Sequence, residues 1–314
     1  MVARREGLAG GLVGLLVGDA LGVPYEFHRA SALPPAEAIE MRPPPGFSRS
    51  HRGVPPGTYS DDGAQALCLL ASLLDRGGFD PEDFGARLLG WYEHGDLAVD
   101  GVVFDVGVQT GAALRRLAGG SPALEAGPSD ERANGNGSLM RALPLALWHR
   151  GGDAELARDA ALQSRVTHGH ARSRVCCMLY CLWARRVLAG EADPWASATA
   201  ALRALPLDEG EVEALEFHVR PDEASPEGRG SGYVVDALRS ARMCAAEPSF
   251  EQAVRRAVAL GDDTDTTACL TGGIVGLRVG LAGIPERWRA ALRGRELWEP
   301  LLARLLEHDA ASGR

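Results

Sequence analysis

Residues 260–280 read Leu-Gly-Asp-Asp-Thr-Asp-Thr-Thr-Ala-Cys-Leu-Thr-Gly-Gly-Ile-Val-Gly-Leu-Arg-Val-Gly, and two patterns overlap in them. The first half crowds the carboxylates of Asp262, Asp263 and Asp265, with three threonine hydroxyls, ahead of an apolar, helix-like run. Such charges repel unless a cation or a helix N-terminus offsets them. Asp263 and Asp265, two apart, would diverge on a regular helix, so they converge only from the turn that leads into it. The second half places Gly272, Gly276 and Gly280 four apart, which makes one helix face smooth.

Both patterns occur again near the start of the chain. Leu8 to Leu21 reads as a helix with Gly10, Gly14, Gly18 and then Gly22 at every fourth position. Each helical glycine costs about 1 kcal/mol relative to alanine, so close packing has to compensate. Small residues at this spacing let two backbones approach. The two glycine faces are therefore expected to cross, and an antiparallel crossing would carry Asp19 and Glu26 toward the turn at 262–266. The acidic pattern returns as Gly57-Thr58-Tyr59-Ser60-Asp61-Asp62 running into Ala64 to Leu74. Each acidic stretch alone reads as a helix N-terminus, with Ser60 or Thr264 as N-cap. Together, and with no His or Cys at ligand spacing, they describe an oxygen-only site suited to Mg²⁺, Mn²⁺ or Ca²⁺, and open enough to hold two ions and activate water.

Composition sets the limits. The 314 residues are 46% hydrophobic and 24% charged, ordinary globular material long enough to bury most of its apolar surface. A net charge of -9 argues against a surface that coats nucleic acid. All 33 basic residues are Arg, which removes lysine chemistry: no Walker lysine, no Schiff base, no lysine general base. Six cysteines without a Cys-x-x-Cys pair read as reduced core residues of a cytoplasmic protein. The apolar run at 8–17 is short and glycine-punctured for a signal peptide, and Arg278 interrupts the run at 268–284, so no membrane span is expected.

Between these landmarks, residues 28–57 are rich in proline and read as a surface excursion. Helical patterns follow over 81–117, broken near 96–101, then at 139–149, at 153–188 with a division at 165–170, and at 194–203, 209–218, 232–246 and 249–260; residues 122–132 read as a polar loop. Asp105, in Phe104-Asp105-Val106-Gly107, reads by itself as an N-cap. Asn134-Gly135-Asn136-Gly137-Ser138 is a flexible turn whose backbone N–H groups suit an anion, or simply a turn with Ser138 as N-cap. His168 suits a phosphate or a ribose hydroxyl, and equally a structural role. Isoleucine is confined to three positions and alternating strand-length runs are scarce, so an all-helical fold is expected.

These elements in this order resemble the ADP-ribosylglycohydrolase family: Gly18-Asp19-Ala20-Leu21-Gly22 with Glu26, Ser60-Asp61-Asp62, Asn136-Gly137-Ser138-Leu139-Met140-Arg141, Thr167-His168, and Gly261-Asp262-Asp263-Thr264-Asp265-Thr266. The resemblance implies one all-α domain, an orthogonal helical bundle over 1–314 with its core at about 8–296. It also implies metal-dependent hydrolysis of the bond between ADP-ribose and an acceptor such as a protein Arg or Ser side chain. Ser60, Asp61, Asp62, Asp263, Asp265 and Thr266 would hold two Mg²⁺ or Mn²⁺ ions. Glu26, Asp61 and Asp265 would be catalytic, while Asp105, Gly107, Asn136, Gly137, Ser138 and His168 would contact ADP-ribose. The partners implied are ADP-ribose and its protein or small conjugates, with nucleic acid only as an ADP-ribosylated substrate, acting on a monomer. Four positions depart from the family pattern: Ser60 for Thr, Gly63 for Thr, Gln65 for Met, and Asp262 for Gly, the last adding a carboxylate as a ligand or as repulsion. The rival readings are a silent ADP-ribose-binding or structural relative, and a metal-dependent hydrolase of another nucleoside-diphosphate conjugate.

Overall fold

A computed structural model describes residues 2–224 and 226–312. Among them the helices run α1 Arg4–Gly22, α2 Asp61–Arg76, α3 Pro81–His94, α4 Val108–Ala118, α5 Ala123–Ala126, α6 Leu143–Trp148, α7 Asp153–Arg165, α8 Ala171–Ala189, α9 Pro194–Arg203, α10 Glu209–Glu213, α11 Val234–Ala245, α12 Phe250–Ala259, α13 Thr264–Val279, α14 Glu286–Ala291 and α15 Arg295–Ser312. The fold is all-α, and isolated bridges such as Arg29–Gly261 and Gly135–Tyr233 are the only β-type pairings among the described residues.

The antiparallel crossing of the two glycine faces is present, and α1 and α13 form the axis of the molecule. A Cβ added to Gly10 would stand 2.2 Å from the Gly276 carbonyl oxygen, and one on Gly14 would stand 2.3 Å from that of Gly272. Further along, a Cβ on Gly18 would meet the Ala268 oxygen at 2.1 Å, and one on Gly22 the Asp265 Cα at 2.3 Å. Backbone therefore occupies the volume that side chains fill elsewhere, and dispersion over this long contact offsets the low helix propensity of the glycines. Both helices are apolar on every face because both are enclosed, as expected of helices at the centre of a bundle. Arg4–Tyr25 is long and apolar enough to cross a membrane, yet its apolar stretch from Gly7 onward is buried inside the protein.

Around this axis α2, α8, α11 and α12 complete the core. All six cysteines are buried and free. Local signals place the boundaries: Asp80 caps α3 through the Glu82 and Asp83 amides, and Gly77 and Gly95 end α2 and α3 in the left-handed conformation.

Several expectations are corrected. The helix expected from 139 begins only at Leu143, because 139–142 form the turn that delivers Arg141 to the interior. The loop at 122–132 contains the short α5, and the 209–218 helix changes to π geometry over Ala214–Val219. Thr264 is the first residue of α13 and not its cap; its hydroxyl donates to the Gly22 carbonyl at 2.8 Å, which ties the end of α1 to the start of α13. The core also extends past residue 296, since Trp298, Leu301 and Leu305 of α15 are buried in it.

Gly14→Ala and Gly272→Ala are each expected to lower stability by about 2–4 kcal/mol, because the carbonyl facing each site cannot yield as a side chain would. Gly53→Ala and Gly78→Ala, where nothing lies within 4 Å, serve as controls and should stay within about 0.5 kcal/mol of the parent. Urea midpoints decide; equal effects at all four positions would refute the close-packed axis.

Candidate active site

The first acidic pair is built at the start of α2. Ser60 is the N-cap, and its hydroxyl oxygen accepts from the Asp62 amide. A second cap comes from α1: the Asp19 carboxylate accepts from the Ser60 amide at 2.9 Å and the Gly63 amide at 2.8 Å. Asp19 is fully buried, and burial raises its pKa to about 7 even though these two amides oppose the shift. The sequence marked Asp19 only as a neighbour, whereas here it aims the helix that carries Asp61 and Asp62. Gly63 fits for a steric reason, since a Cβ there would meet Leu16 and Tyr59 at 2.8 Å.

The second acidic group comes from the turn before α13. Two backbone bonds clamp this turn to the end of α1: the Phe27 amide donates to the Asp262 carbonyl, and the Asp262 amide to that of His28, both at 2.7 Å. Asp262 has φ 56°, the left-handed region that glycine favours and Asp tolerates, which explains the change from the family's glycine. Its side chain is exposed and outside the cavity lining, so it is neither a ligand of the cluster nor a source of repulsion within it.

The two acidic stretches meet. Thr266 Oγ1 donates to Asp62 Oδ2 at 3.3 Å across 204 positions of sequence, and Asn136 Nδ2 donates to Asp263 Oδ2 at 2.9 Å. Carboxylate oxygens of Glu26, Asp263 and Asp265 lie within 4.8 Å of one another. Burial first, and then mutual repulsion, pushes the pKa values of Asp61, Asp62 and Asp265 well above the carboxylate range, and Glu26 up to about 11 through burial and the charges of Asp105, Asp263 and Asp62. Asp62 Oδ1 and Asp265 Oδ2 are buried without a hydrogen-bond partner among the described residues. Orphaned acceptors in an oxygen-only cluster fit a hard divalent cation, which would supply the missing positive charge.

Above this floor opens a cavity of about 290 Å³ whose lining includes Glu26, Asp61, Asp62, Asp263 and Thr266 together with Asp105, Gly107, Asn136, Gly137 and His168. Ser60 and Asp265 stand just behind that surface. Asp105 is not an N-cap; Gly107 occupies the cap of α4, and Asp105 faces Glu26 with φ 58°. Ser138 is drawn away from the cavity, fully buried with its hydroxyl against Ser164 Oγ at 2.9 Å. Glycine at 137 follows from the close approach of the His168 ring, whose Cε1 would stand 2.9 Å from a Cβ there.

The sequence also left His51 unmarked. Its Nε2 is 2.7 Å from Glu26 Oε2, and its ring is flanked by Phe27 and Phe104 with centroids 5.6 and 5.1 Å away. No motif announces it, because it lies in the proline-rich excursion 25 positions from its partner.

The model of the ADP-ribosylglycohydrolase family matches residues 2–314. The chain belongs to this family. It is 31% identical to the ADP-ribosylarginine hydrolase Tri1 of Pseudomonas putida, over 89% of this chain and 72% of that one. It is 27% identical to the ADP-ribosyl-[dinitrogen reductase] glycohydrolase of Rhodospirillum rubrum, over 90% and 89%, and 26% identical to ADP-ribosylhydrolase ARH3 of Danio rerio, over 95% and 89%. A solved structure titled ADP-ribosylglycohydrolase-related protein complex superposes with a TM-score of 0.79 at 32% identity, covering 98% of this chain and 99% of that one. The protein is accordingly a hydrolase of ADP-ribosyl conjugates.

In the metal-free protein, carboxylates with raised pKa hold protons that the unfolded chain has released, so their contribution to stability falls as pH rises; for Asp19 the fall spans about pH 4 to 7. In chelator, Asp265→Asn should therefore raise the melting midpoint by relieving repulsion. Added Mn²⁺ or Mg²⁺ should raise the wild-type midpoint and leave this variant nearly unmoved. A wild-type midpoint indifferent to both ions would rule out the cation reading.

Proposed function

We propose that this glycohydrolase removes ADP-ribose from an amino-acid side chain with two divalent ions, Mg²⁺ or Mn²⁺, held by Ser60, Asp61, Asp62, Asp263, Asp265 and Thr266. The observation that carries the reading is the pair of orphaned, buried carboxylate oxygens on Asp62 and Asp265, on elements that the Thr266–Asp62 bond joins across 204 positions beneath one cavity. When bound, such ions polarise ribose hydroxyls and make a water more acidic.

The chain's own groups supply the rest. Glu26 Oε2, shared with His51 Nε2 and ionised once cation charge offsets the neighbouring carboxylates that raise its pKa in the metal-free protein, takes a proton from the attacking water, whose oxygen bonds to the anomeric carbon. The bond from that carbon to the acceptor atom breaks with its electron pair on the acceptor, which leaves carrying a proton, so one water is consumed. The surrounding carboxylates stabilise the positive charge that develops on the sugar. Asn136, bonded to Asp263 at the edge of the acidic cluster, with Gly137 and His168 beside it, holds the diphosphate and ribose, and Asp105 and Gly107 flank them. The N-terminal end of α4 contributes backbone N–H groups without adding negative charge, whereas the Gly135 and Asn136 amides are already donated to Gln109 Oε1 and the Gly232 carbonyl.

Arginine is the first linkage to test, since the identity to ADP-ribosylarginine hydrolases of Pseudomonas putida and Serratia proteamaculans is 31% and 30%. Peptides carrying ADP-ribose on Arg or on Ser, incubated with Mg²⁺, with Mn²⁺ or with chelator, should release free ADP-ribose only with metal. Asp61→Ala and Asp265→Ala should each lower kcat/KM at least about 10³-fold. Release of AMP or inorganic phosphate, or near-normal turnover in both variants, would overturn the proposal.

A further inference from the structure

Arg141 is fully buried, and among the described residues no carboxylate hydrogen-bonds to it. Its guanidinium is instead spent on neutral acceptors: Nη1 donates to Gln65 Oε1 at 2.7 Å, Nε to Gln163 Oε1 at 3.1 Å, and Nη2 to the Gln163 carbonyl at 3.1 Å and to Thr167 Oγ1 at 2.7 Å. From there the bonds run outward in two directions. Gln65 Nε2 donates to Asp61 Oδ2 at 2.8 Å, at the acidic floor, and Thr167 Oγ1 lies 2.7 Å from His168 Nδ1, at the opposite wall.

The direction of the last bond follows from counting protons. The Thr167 hydroxyl has one hydrogen and already accepts from Arg141. If it also accepted from His168, its own hydrogen would be buried with no acceptor, because Arg141 and His168 are its side-chain partners and Thr167 is fully buried. Thr167 therefore donates to Nδ1. Burial and the Arg141 charge push the His168 pKa down to about 3, so the ring is neutral and its one proton is on Nε2. The residue is also held from behind, where Ser164 Oγ donates to the His168 carbonyl and Ser138 donates to Ser164.

We propose that Arg141 is a positioning residue for both walls of the cavity, fixing His168 as the Nε2–H tautomer through Thr167 and steering the Asp61 carboxylate through Gln65. His168 thereby presents a donor whose orientation does not vary between pH 5 and 9, suited to an anionic or hydroxyl oxygen. That this oxygen belongs to ADP-ribose rests on the function proposed above; the tautomer does not.

NMR of protein labelled with ¹⁵N at histidine reads the tautomer directly. In the wild type His168 should show a protonated Nε2 and a bare Nδ1. Thr167→Val, which keeps the shape and loses the hydroxyl, should shift the proton toward Nδ1 and weaken ADP-ribose binding about tenfold, while Thr167→Ser restores both. Melting curves confirm that each variant is folded, and the serine variant keeps the test decisive if the valine variant is not. A wild-type ring protonated at Nδ1, or an unchanged tautomer in folded Thr167→Val, overturns the proposal. The expected tautomers in a wild type that does not bind ADP-ribose would instead overturn the proposed function and leave the positioning role standing. Gln65→Met should change Mn²⁺ affinity several-fold with the His168 tautomer unchanged; unaltered affinity removes the Asp61 half.

Discussion

The approach of α1 and α13, backbone against backbone, is the constraint on which the remaining structure depends. Where Gly10, Gly14 and Gly18 face the carbonyls of Gly276, Gly272 and Ala268, the helix axes come closer than any larger residue would permit. That closeness is transmitted to the catalytic end. Gly22 rests on the Asp265 backbone, Thr264 bonds the Gly22 carbonyl, and Asp19, on the last turns of α1, reaches sideways to cap α2. One helix pair thus places both acidic groups and brings Glu26, just past the end of α1, into range of Asp263 and Asp265.

The acidic floor works against the stability of the fold that supports it. Four aspartates and a glutamate are gathered where burial alone disfavours their charged forms, and one oxygen each of Asp62 and Asp265 is unsatisfied among the described residues. Well-packed surroundings have to hold them there. The aromatic and aliphatic core around α1 and α13 provides that support, and polar links give each carboxylate a direction: Gln65 to Asp61, Thr266 Oγ1 to Asp62, Asn136 to Asp263, the Thr266 amide to Asp265 and His51 to Glu26. The same preorganisation that is unfavourable in the empty protein is what suits the cluster to the small, highly charged cation proposed for it.

Much of this was legible in the sequence, and for physical reasons. Glycine at every fourth position has few uses other than helix–helix approach, and acid pairs ahead of apolar runs have few explanations when they occur twice. What was not legible depends on contacts between remote residues with ordinary local roles. Asp105 and Thr264 look like caps from spacing alone, yet their backbone and neighbours give them other tasks. Ser138 belongs to a motif that touches the cavity, but its own side chain points into the layer behind. Gln65 read only as a departure from the family pattern; its pairing with Arg141, 76 positions away, depends on the depth at which the 139–142 turn inserts. His51 and α15 carried no pattern that distinguishes them from other loop and helical material.

The separation of α1 from its mate has a consequence for biosynthesis. The hydroxyl of Thr264 and the carbonyl it meets are 242 positions apart, so a chain emerging from the ribosome carries its most apolar segment long before the surface that shelters it has been made. Contacts of such long range close slowly, and transiently bare apolar helices invite aggregation. Late completion of this contact leaves α1 without its cover until α13 has been made, the interval in which apolar segments need protection from one another.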